Sequence, residues 1–542
     1  MRRGAKAAIV GGVFAAMVGA AGYGAFNVLH ALGGDALSGG PAPVKTGPPT
    51  ASEIKETSSK FLAAWAKGDA ATAASYTDNE QDAEQLLTAY GTAAHITKVH
   101  IGAEAPSGDS VPFSVKATVS YEGKSQPLAY DSRLTIVRGL TTGRALVDWQ
   151  PSVVHPDLEK GDTLVTGEAE TPPVEAVDRN GTVLTAEKYP SLGPILATLR
   201  ERYGDTAGGK PGIELSVRRG DPNAPDKTLL TLGKGTPGKL HTTLSAAAQA
   251  AAEQSVQRFA ESSVVAVKPS TGEVLAVANH RADSFNAAFE GQLAPGSTMK
   301  IITAAMLIDN GVTTMNGPAP CPPSAVWQSQ TFTNLQGLVP NENASLANSF
   351  MRSCNTAFIK LIDEEPLTDA SLTTEAQERF GLGRDNWKTG VSSFDGSVPA
   401  SSGPDRAANA IGQGQVQMSP LNMASVTATA ITGTFRQPYL VSPKLDNREL
   451  ATARGLSSGT VAQLKAMMRM TAVQGTAQPA MAGLTGDIGA KTGSAEVDGQ
   501  AKSNSWFTGY RGDMAAAAMT QEGGHGGDAA GPIVAAVLRT GG

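Results

Sequence analysis

Cysteine and histidine are scarce in this chain, and their scarcity excludes several kinds of site. The sequence contains two cysteines, Cys321 and Cys354, which are too few for a disulfide scaffold. No Cys-x-x-Cys pair or histidine-rich cluster indicates a metal site, so we expect no metal ion. The 7 histidines are scattered along the chain. A Ser-His-Asp triad therefore has no obvious histidine, and a serine nucleophile is expected to use a lysine as its base.

A strong charge of either sign is also lacking. The net charge of −6 is modest, so we expect no nucleic-acid partner. Aromatic residues make up only 5% of the sequence, whereas the hydrophobic content of 41% is ordinary for a globular protein. A length of 542 residues predicts two or three domains.

A long run without formal charge lies near the start of the sequence. Residues 7–34 follow Arg2, Arg3 and Lys6, and the run exceeds the roughly 7–15 apolar residues of a cleaved signal peptide. We therefore predict an uncleaved membrane anchor within residues 1–34, with a cleaved signal peptide as the alternative. The positive-inside rule then places the rest of the chain outside the cytoplasm.

Residues 52–158, which follow a Gly- and Pro-rich linker at 35–51, combine helical and strand patterns. Helices are expected at residues 54–65, 70–76 and 81–90, and strands at 96–101, 112–121, 127–137 and 144–149. Helices followed by a meander predict an α+β domain. This order resembles the cone-shaped fold of nuclear transport factor 2, and the region is similar to the N-terminal domain of methicillin-resistance penicillin-binding proteins. We expect a spacer or partner-binding module without chemistry of its own.

Residues 159–238 are rich in Gly, Pro and charge and are predicted to form a small linker or dimerisation-type domain. Their strongest local signal is Asp178-Arg179-Asn180-Gly181, which indicates either a hairpin or only a tight turn. The same four residues resemble a stretch found upstream of the transpeptidase domain in class B penicillin-binding proteins.

The central motif of the chain is Ser-x-x-Lys at Ser297 and Lys300. A Pro-Gly turn precedes it and an apolar helical run follows, so the two side chains share one helix face. They form a nucleophile and a base if the lysine is neutral, which burial beside another cation favours. The spacing alone is weak evidence, because Ser52 and Lys55 match it on a polar helix face.

A second hydroxyl and an amide follow at Ser353 and Asn355, between two helical runs. This placement predicts a loop that can enter a cleft. The Ser353 hydroxyl can relay a proton to a leaving amine, and the Asn355 amide can hold the lysine and a substrate peptide oxygen.

Lys-Thr-Gly occurs three times, but only the copy at Lys491, Thr492 and Gly493 is followed by an Asp-Gly turn and an apolar strand. The pattern predicts an antiparallel meander at a sheet edge, which can bind an extended peptide. We expect Lys491 to hold a substrate carboxylate and to lower the pKa of Lys300. The copies at Lys45 and Lys388 lack this context.

The close approach of a substrate to the third motif depends on small residues and backbone donors. Gly493 permits the substrate and backbone to come close, and the N–H groups of Ser494 and Ser297 would form an oxyanion hole. Thr492, Gly493 and Ser494 are therefore the predicted substrate-binding residues.

The three motifs in this order resemble those of the penicillin-binding protein and serine β-lactamase superfamily. Residues 410–424 and 353–358 resemble stretches typical of its transpeptidases, which indicates a monofunctional, class B-like enzyme. The resemblance implies that residues 239–542 form a transpeptidase domain with an antiparallel sheet flanked by helices and an all-helical subdomain. It implies no metal or organic cofactor, and a location on the outer face of a bacterial cell membrane with a single membrane span.

The resemblance also implies a mechanism. Ser297, deprotonated by Lys300, attacks the carbonyl between two terminal D-alanines of a peptidoglycan stem peptide, and an amine on a neighbouring stem peptide then resolves the acyl-enzyme. β-Lactams mimic the dipeptide and acylate the same serine. Cell-wall synthesis partners would bind through the N-terminal domains.

Three other functions remain alternatives. A D,D-carboxypeptidase differs only in its acceptor. A β-lactam-hydrolysing enzyme would need a group that activates water, and no Glu-x-x-Leu-Asn stretch lies between Ser353 and Lys491. A non-catalytic scaffold would not need the complete motif set. The two cysteines either form a disulfide outside the cytoplasm or leave Cys354 as a small apolar filler.

Overall fold

The structure, a computed structural model, describes residues 45–221, 224–497 and 499–541. These residues form two compact units, one ending at Gly167 but also holding Glu214–Leu232, the other holding Glu168–Ile213 and the chain from Gly233 onward. The units divide residues 159–238 between them, and the domain limits remain predictions. The anchor predicted at residues 7–34 lies outside the described residues. No helix of the described residues combines the length and the apolar character that crossing a bilayer requires.

The first unit begins with helices and continues with a meander, which confirms the predicted α+β order. The helices are α1 (Ala51–Ala66), α2 (Ala70–Ala74) and α3 (Glu80–Thr92). The strands are β1 (Ile96–Ala103), β2 (Ser110–Tyr121), β3 (Lys124–Arg138) and β4 (Ala145–Val147), and they pair in that order. A capping box between Thr50 and Glu53 starts α1. Phe61, Trp65 and Phe113 are buried where α1 packs on the sheet.

Short elements follow between residues 163 and 241. They are β5 (Thr163–Glu168), β6 (Glu175–Val177), α4 (Gly193–Tyr203), β7 (Ile213–Arg218), β8 (Lys227–Gly233) and β9 (Lys239–His241). Strands β5, β7 and β8 form one sheet, and β6 pairs with β9 in parallel. The Asn-Gly signal is a tight turn rather than a two-stranded hairpin, because only one bridge joins Val177 to Val183. Asp178 Oδ1 closes the turn by accepting from the amides of Asn180 and Thr182 at 2.8 Å each.

The remaining elements build the second unit. They are α5 (Ala246–Val256), β10 (Ser262–Val267), β11 (Val274–His280), α6 (Ala287–Glu290), α7 (Lys300–Asp309), β12 (Ser324–Trp327), β13 (Gln330–Thr333), α8 (Leu346–Met351), α9 (Asn355–Leu361), α10 (Ser371–Phe380), α11 (Gly403–Ala410), α12 (Pro420–Thr432), α13 (Ser458–Gln474), α14 (Gln478–Met481), β14 (Ile488–Ala495), β15 (Asn504–Arg511), β16 (Met514–Thr520) and α15 (Ala530–Leu538). Single 3-10 turns span Pro151–Val153, Pro190–Leu192, Gly204–Thr206, Gly296–Met299 and Pro443–Leu445.

An antiparallel sheet of order β11-β10-β16-β15-β14 forms the centre of the second unit. Successive residues of a strand point to opposite faces. In β10, Val264 and Ala266 therefore join the core with α5 and α15, whereas Val265 and Val267 join the core with α7 and α12. Burial on both faces explains why the strands have continuous apolar sequences. The predicted meander of β14, β15 and β16 is confirmed, and β14 is the edge strand.

The prediction of an all-helical subdomain is wrong in one place, because β12 and β13 form a hairpin among the helices. The central turn residues, Gln328 and Ser329, have φ values of 44° and 72°. A two-residue turn with both residues left-handed is usually marked by Asn-Gly or Asp-Gly. Gln-Ser gives no such signal, so the hairpin could not be recognised.

Candidate active site

Ser297 lies at the start of the helix that carries Lys300. Gly296–Met299 form a single 3-10 turn that continues directly into α7. Gly296 has a φ of 54°, and a Cβ there would lie 2.4 Å from the Ser494 carbonyl oxygen, so this position needs glycine. The i, i+3 spacing places Lys300 Nζ 2.7 Å from Ser297 Oγ. The structure therefore brings the proposed nucleophile and base into contact.

The other contacts of Lys300 restrict what its amine can do. Nζ donates to the Ser353 carbonyl oxygen at 3.0 Å and to Asn355 Oδ1 at 2.6 Å. The amide of Asn355 has its oxygen toward the lysine because its Nδ2 donates to the Thr333 carbonyl oxygen at 3.2 Å. A neutral lysine has two N–H donors and one lone pair. Since both acceptors can only accept, they take both donors and leave the lone pair for the Ser297 hydroxyl.

The pKa of Lys300 lies well below its usual value. Burial is the largest cause, the positive charge of Lys491 is the second, and the carboxylate of Glu496 acts in the opposite direction. The sequence predicted burial beside a second cation, Lys491, and in the structure burial is the larger of the two causes. Lys300 is completely buried. A lysine held neutral in this way can take the proton of a serine.

Ser353 lies just after the end of α8 and has a left-handed backbone conformation, with a φ of 62°. Its N–H donates to the Phe350 carbonyl oxygen at 3.0 Å, and the Cys354 N–H donates to the Ser349 carbonyl oxygen at 2.9 Å. These two bonds form a Schellman motif, in which the left-handed position is usually glycine. Here the position carries a hydroxyl, and Ser353 Oγ accepts from Lys491 Nζ at 2.9 Å. The predicted loop between two helices is confirmed.

At Ser353, glycine and alanine are expected to differ in their effect on stability but not in their effect on activity. Ser353→Gly should unfold at a higher temperature than Ser353→Ala, because alanine keeps the Cβ that disfavours this backbone conformation. The expected difference is about 1 kcal/mol. Both variants lose the hydroxyl, so both should be acylated slowly by a fluorescent penicillin. Equal melting temperatures of the two variants, measured by thermal unfolding, would contradict the assigned strain.

Cys354, the middle residue of the second motif, is bonded to Cys321, with their Cα atoms 6.2 Å apart. The sequence left open whether the two cysteines pair, and in the structure they form a disulfide. The bond links the loop between α8 and α9 to the segment that leads into β12. The disulfide therefore holds the loop between α8 and α9 covalently, in addition to the two helices at its ends.

Lys491 lies on the edge strand β14 and completes the group of motif side chains. Its Nζ donates to Ser353 Oγ and to the Thr492 carbonyl oxygen, at 2.9 Å each. Burial lowers the pKa of Lys491 to about 7. The structure thus brings Ser297, Lys300, Ser353, Asn355 and Lys491 together through direct hydrogen bonds.

The buried Lys491 predicts how stability depends on pH. Between the folded pKa of about 7 and the ordinary value of 10.5, the unfolded chain binds the proton and the folded chain does not. Raising the pH through this window therefore favours the folded state of the wild type relative to Lys491→Met, by at most ~1.4 kcal/mol per pH unit. Denaturant unfolding of both proteins at a series of pH values checks this, and parallel stability curves would contradict it.

The two residues after Lys491 pack closely against their surroundings. A Cβ on Gly493 would lie 2.7 Å from the Pro295 carbonyl oxygen, next to the nucleophile turn. Only glycine therefore allows β14 to approach that turn so closely. The hydroxyls of Thr492 and Thr476 lie 2.6 Å apart. That Thr492 and Gly493 contact substrate remains a prediction.

Three side chains near Ser494 were missed from the sequence. His525 Nδ1 lies 3.4 Å from Ser494 Oγ. A histidine therefore lies near the end of β14, although no histidine is close to Ser494 in the sequence. The Gln413 amide donates to the Ser494 carbonyl oxygen and to the Glu496 carboxylate. Gln413 lies in the stretch 410–424 that had been singled out, whereas His525 lies in a glycine-rich loop that gives no signal. The oxyanion hole itself remains a prediction.

The other copies of the motifs lie on the surface of the described chain. Ser52 and Lys55 are exposed on α1, as the polar pattern predicts. Lys45 and Lys388 are also exposed. None of these three lysines therefore shares the complete burial of Lys300.

Comparison with known proteins identifies two matching family models. The model described as the penicillin binding protein transpeptidase domain matches residues 262–539. The model described as the NTF2-like N-terminal transpeptidase domain matches residues 53–162. The first match includes all eight of the predicted site residues, and the second spans the helices α1 to α3, except the first two residues of α1, and the strands β1 to β4.

Individual relatives agree with these matches. The chain is 30% identical over 380 residues to a peptidoglycan D,D-transpeptidase, PbpA, of Mycolicibacterium smegmatis, covering 56% of this chain and 73% of the relative. It is 27% identical to penicillin-binding protein 3 of Bacillus subtilis, covering 45% of this chain and 42% of the relative.

A solved structure shares the fold. It is the crystal structure of PBP2 from Pseudomonas aeruginosa in complex with WCK 5153, with a TM-score of 0.54 and 21% identity. The alignment covers 68% of this chain and 96% of that one. With the buried Ser-Lys pair, the Ser-x-Asn loop and the Lys-Thr-Gly edge strand in one place, the chain belongs to the penicillin-binding protein transpeptidase family.

Proposed function

We propose that this protein is a peptidoglycan D,D-transpeptidase that acts through an acyl-enzyme on Ser297. The observation that carries the proposal is the set of contacts made by Lys300. Two acceptors occupy its N–H groups, burial lowers its pKa, and Ser297 Oγ lies 2.7 Å from its nitrogen. This arrangement is that of a neutral base directed at one hydroxyl.

Acylation proceeds by attack of Ser297 Oγ on the carbonyl carbon between the two terminal D-alanines of a stem peptide. The serine proton passes to Lys300 Nζ as the C–O bond forms. The C–N bond then breaks, and the leaving amine of the last D-alanine takes a proton delivered from Lys300 through the hydroxyl of Ser353, which must turn from Lys491 Nζ, its partner in the structure, to reach Lys300. Protons and electrons balance, because Lys300 is neutral again when the acyl-enzyme is complete.

Cross-linking is the reverse sequence with a different amine. An amine on a neighbouring stem peptide gives its proton to the neutral lysine and attacks the acyl carbonyl, and Ser297 leaves with a proton. No metal or organic cofactor takes part. β-Lactams enter the same first step, but their ring opens without releasing a leaving group, so Ser297 remains acylated.

The substrate is held along the edge strand β14. The backbone of this strand offers donors and acceptors to an extended peptide, and Lys491 offers a cation to the terminal carboxylate. Thr492, Gly493 and Ser494 line this path, and the N–H groups of Ser494 and Ser297 stabilise the oxyanion.

The cellular context follows from the proposed substrate. An N-terminal anchor within residues 1–34 would hold the enzyme at the outer face of a bacterial cell membrane, where stem peptides are displayed. The NTF2-like domain, at residues 52–158, would act as a spacer or bind other cell-wall synthesis proteins. Residues 159–238 would link it to the transpeptidase domain at 239–542.

Product analysis tests the proposed reaction. The purified protein is given a stem-peptide donor ending in D-Ala-D-Ala and an amine acceptor, and mass spectrometry should find the cross-linked product with one D-alanine released per link. Ser297→Ala should form neither product. Release of D-alanine with only the free acid would instead identify a D,D-carboxypeptidase. Rapid turnover of a β-lactam would identify a hydrolase. A protein that neither reacts with the peptides nor is labelled by a β-lactam would be a non-catalytic scaffold.

A further inference from the structure

The loop that carries Ser353 and Asn355 is held by a residue outside the three motifs. Asn334 follows β13 directly, at the end of the hairpin that the sequence did not reveal. Its Oδ1 accepts from the N–H groups of Asn355 at 2.7 Å and of Thr356 at 3.1 Å. Its Nδ2 donates to the Pro322 carbonyl oxygen at 2.8 Å, which fixes the orientation of the amide.

Asn334 accepts hydrogen bonds from the first two N–H groups of α9, those of Asn355 and Thr356. The first N–H groups of a helix have no partner within the helix, and a side-chain oxygen of the residue before the helix usually accepts from them. At α9 that residue is Cys354, whose sulfur is bonded to Cys321 and is a weak acceptor, which receives the Ala357 N–H at 3.4 Å and leaves the two N–H groups before it to another partner. The side-chain oxygen of Asn334 therefore caps α9 although Asn334 is not adjacent to the helix in the sequence.

The same hairpin end also orients the catalytic amide. The Thr333 carbonyl oxygen, one residue earlier, accepts from Asn355 Nδ2 at 3.2 Å. The opposite side of this amide, Asn355 Oδ1, accepts from Lys300 Nζ at 2.6 Å. Thr333 and Asn334 thus fix both the backbone and the side chain of Asn355, which in turn occupies one donor of the base.

We propose that Asn334 is a positioning residue for acylation. It acts through Asn355, holding the amide oxygen on Lys300 so that the lone pair of the lysine remains directed at Ser297. This inference rests on the proposed function, since it concerns the rate at which Ser297 is acylated.

The experiment measures the acylation rate constant of the full-length protein with a fluorescent penicillin. Asn334→Leu removes the amide at similar volume and should slow acylation about 10- to 100-fold, the effect expected of a small misplacement of a catalytic group. Asn334→Asp keeps an oxygen for both N–H groups but loses the N–H that donates to the Pro322 carbonyl oxygen, so its acylation rate should lie between those of Asn334→Leu and the wild type. Asn343→Leu, the same change at an exposed position of the same segment, should have no effect.

A double variant separates positioning from a general loss of stability. In an Asn355→Ala background, Asn334→Leu should slow acylation less than about twofold further, because residues that act through one another are not additive. Three results would each overturn the inference. Asn334→Leu could slow acylation equally in both backgrounds, it could acylate at the wild-type rate, or Asn334→Asp could be as slow as Asn334→Leu. Absence of acylation in the wild type would instead defeat the proposed function.

Discussion

Ser297→Ala is expected to abolish covalent labelling by a fluorescent penicillin. The acyl bond forms at Ser297 Oγ, and no other hydroxyl contacts Lys300 Nζ among the described residues. Ser353 Oγ contacts Lys491 instead, and Ser353 reaches Lys300 only through its backbone oxygen. Removing one oxygen atom should therefore remove the signal entirely, as read by fluorescence after denaturing electrophoresis and by intact mass.

The matched control for this prediction is Ser52→Ala. Ser52 belongs to the other Ser-x-x-Lys sequence but is exposed, so the variant should label like the wild type. Undiminished labelling of Ser297→Ala would refute the site assignment. Since alanine fits the volume of a serine, thermal unfolding should show little change, and a lost signal can then be attributed to lost chemistry.

Lys300→Met is expected to reduce the acylation rate constant about 10²- to 10⁴-fold, the usual effect of losing a general base. The fold itself should tolerate the change, because methionine has a similar length and removes the cost of burying an amine. The melting temperature should therefore be unchanged or higher, while the acylation rate falls. Stopped-flow or gel-based acylation kinetics, together with thermal unfolding, measure the two effects separately.

Lys55→Met provides the corresponding control, since Lys55 is exposed on α1. It should acylate at the wild-type rate. A Lys300→Met variant that keeps its acylation rate would show that another group takes the serine proton. The pH profile distinguishes this case further, because the acid limb of the wild type should reflect the lowered pKa of Lys300 and should disappear from the variant.

The parts of the molecule that depend on local sequence could be predicted. The Asp-Gly turn after Lys491 identified the meander of β14 and its neighbours. The i, i+3 spacing placed Ser297 beside Lys300, because α-helical geometry determines that contact.

The parts that depend on distant contacts could not be predicted. Nothing near Ser494 in sequence indicates His525, and nothing in β13 indicates that Asn334 would cap another helix. That burial outweighs the charge of Lys491 in lowering the pKa of Lys300 could not be predicted, because burial depends on the whole of the surrounding core. Left-handed turns at residues such as Gln328 and Ser353 have no strong sequence signal, since both backbones are held by their context.

The strand order of the central sheet brings together motif residues that are widely separated in the sequence. Ser297 and Lys300 are made soon after β11, but β14 and Lys491 come after all the helices up to α14. In the sheet, β10 is joined to β14 only through β16 and β15, the last strands to emerge. The contact between Ser353 and Lys491 therefore joins residues that are far apart in the chain. A chain that stopped before β14 would keep Ser297 and Lys300 but would lack the contact of Lys491 with Ser353.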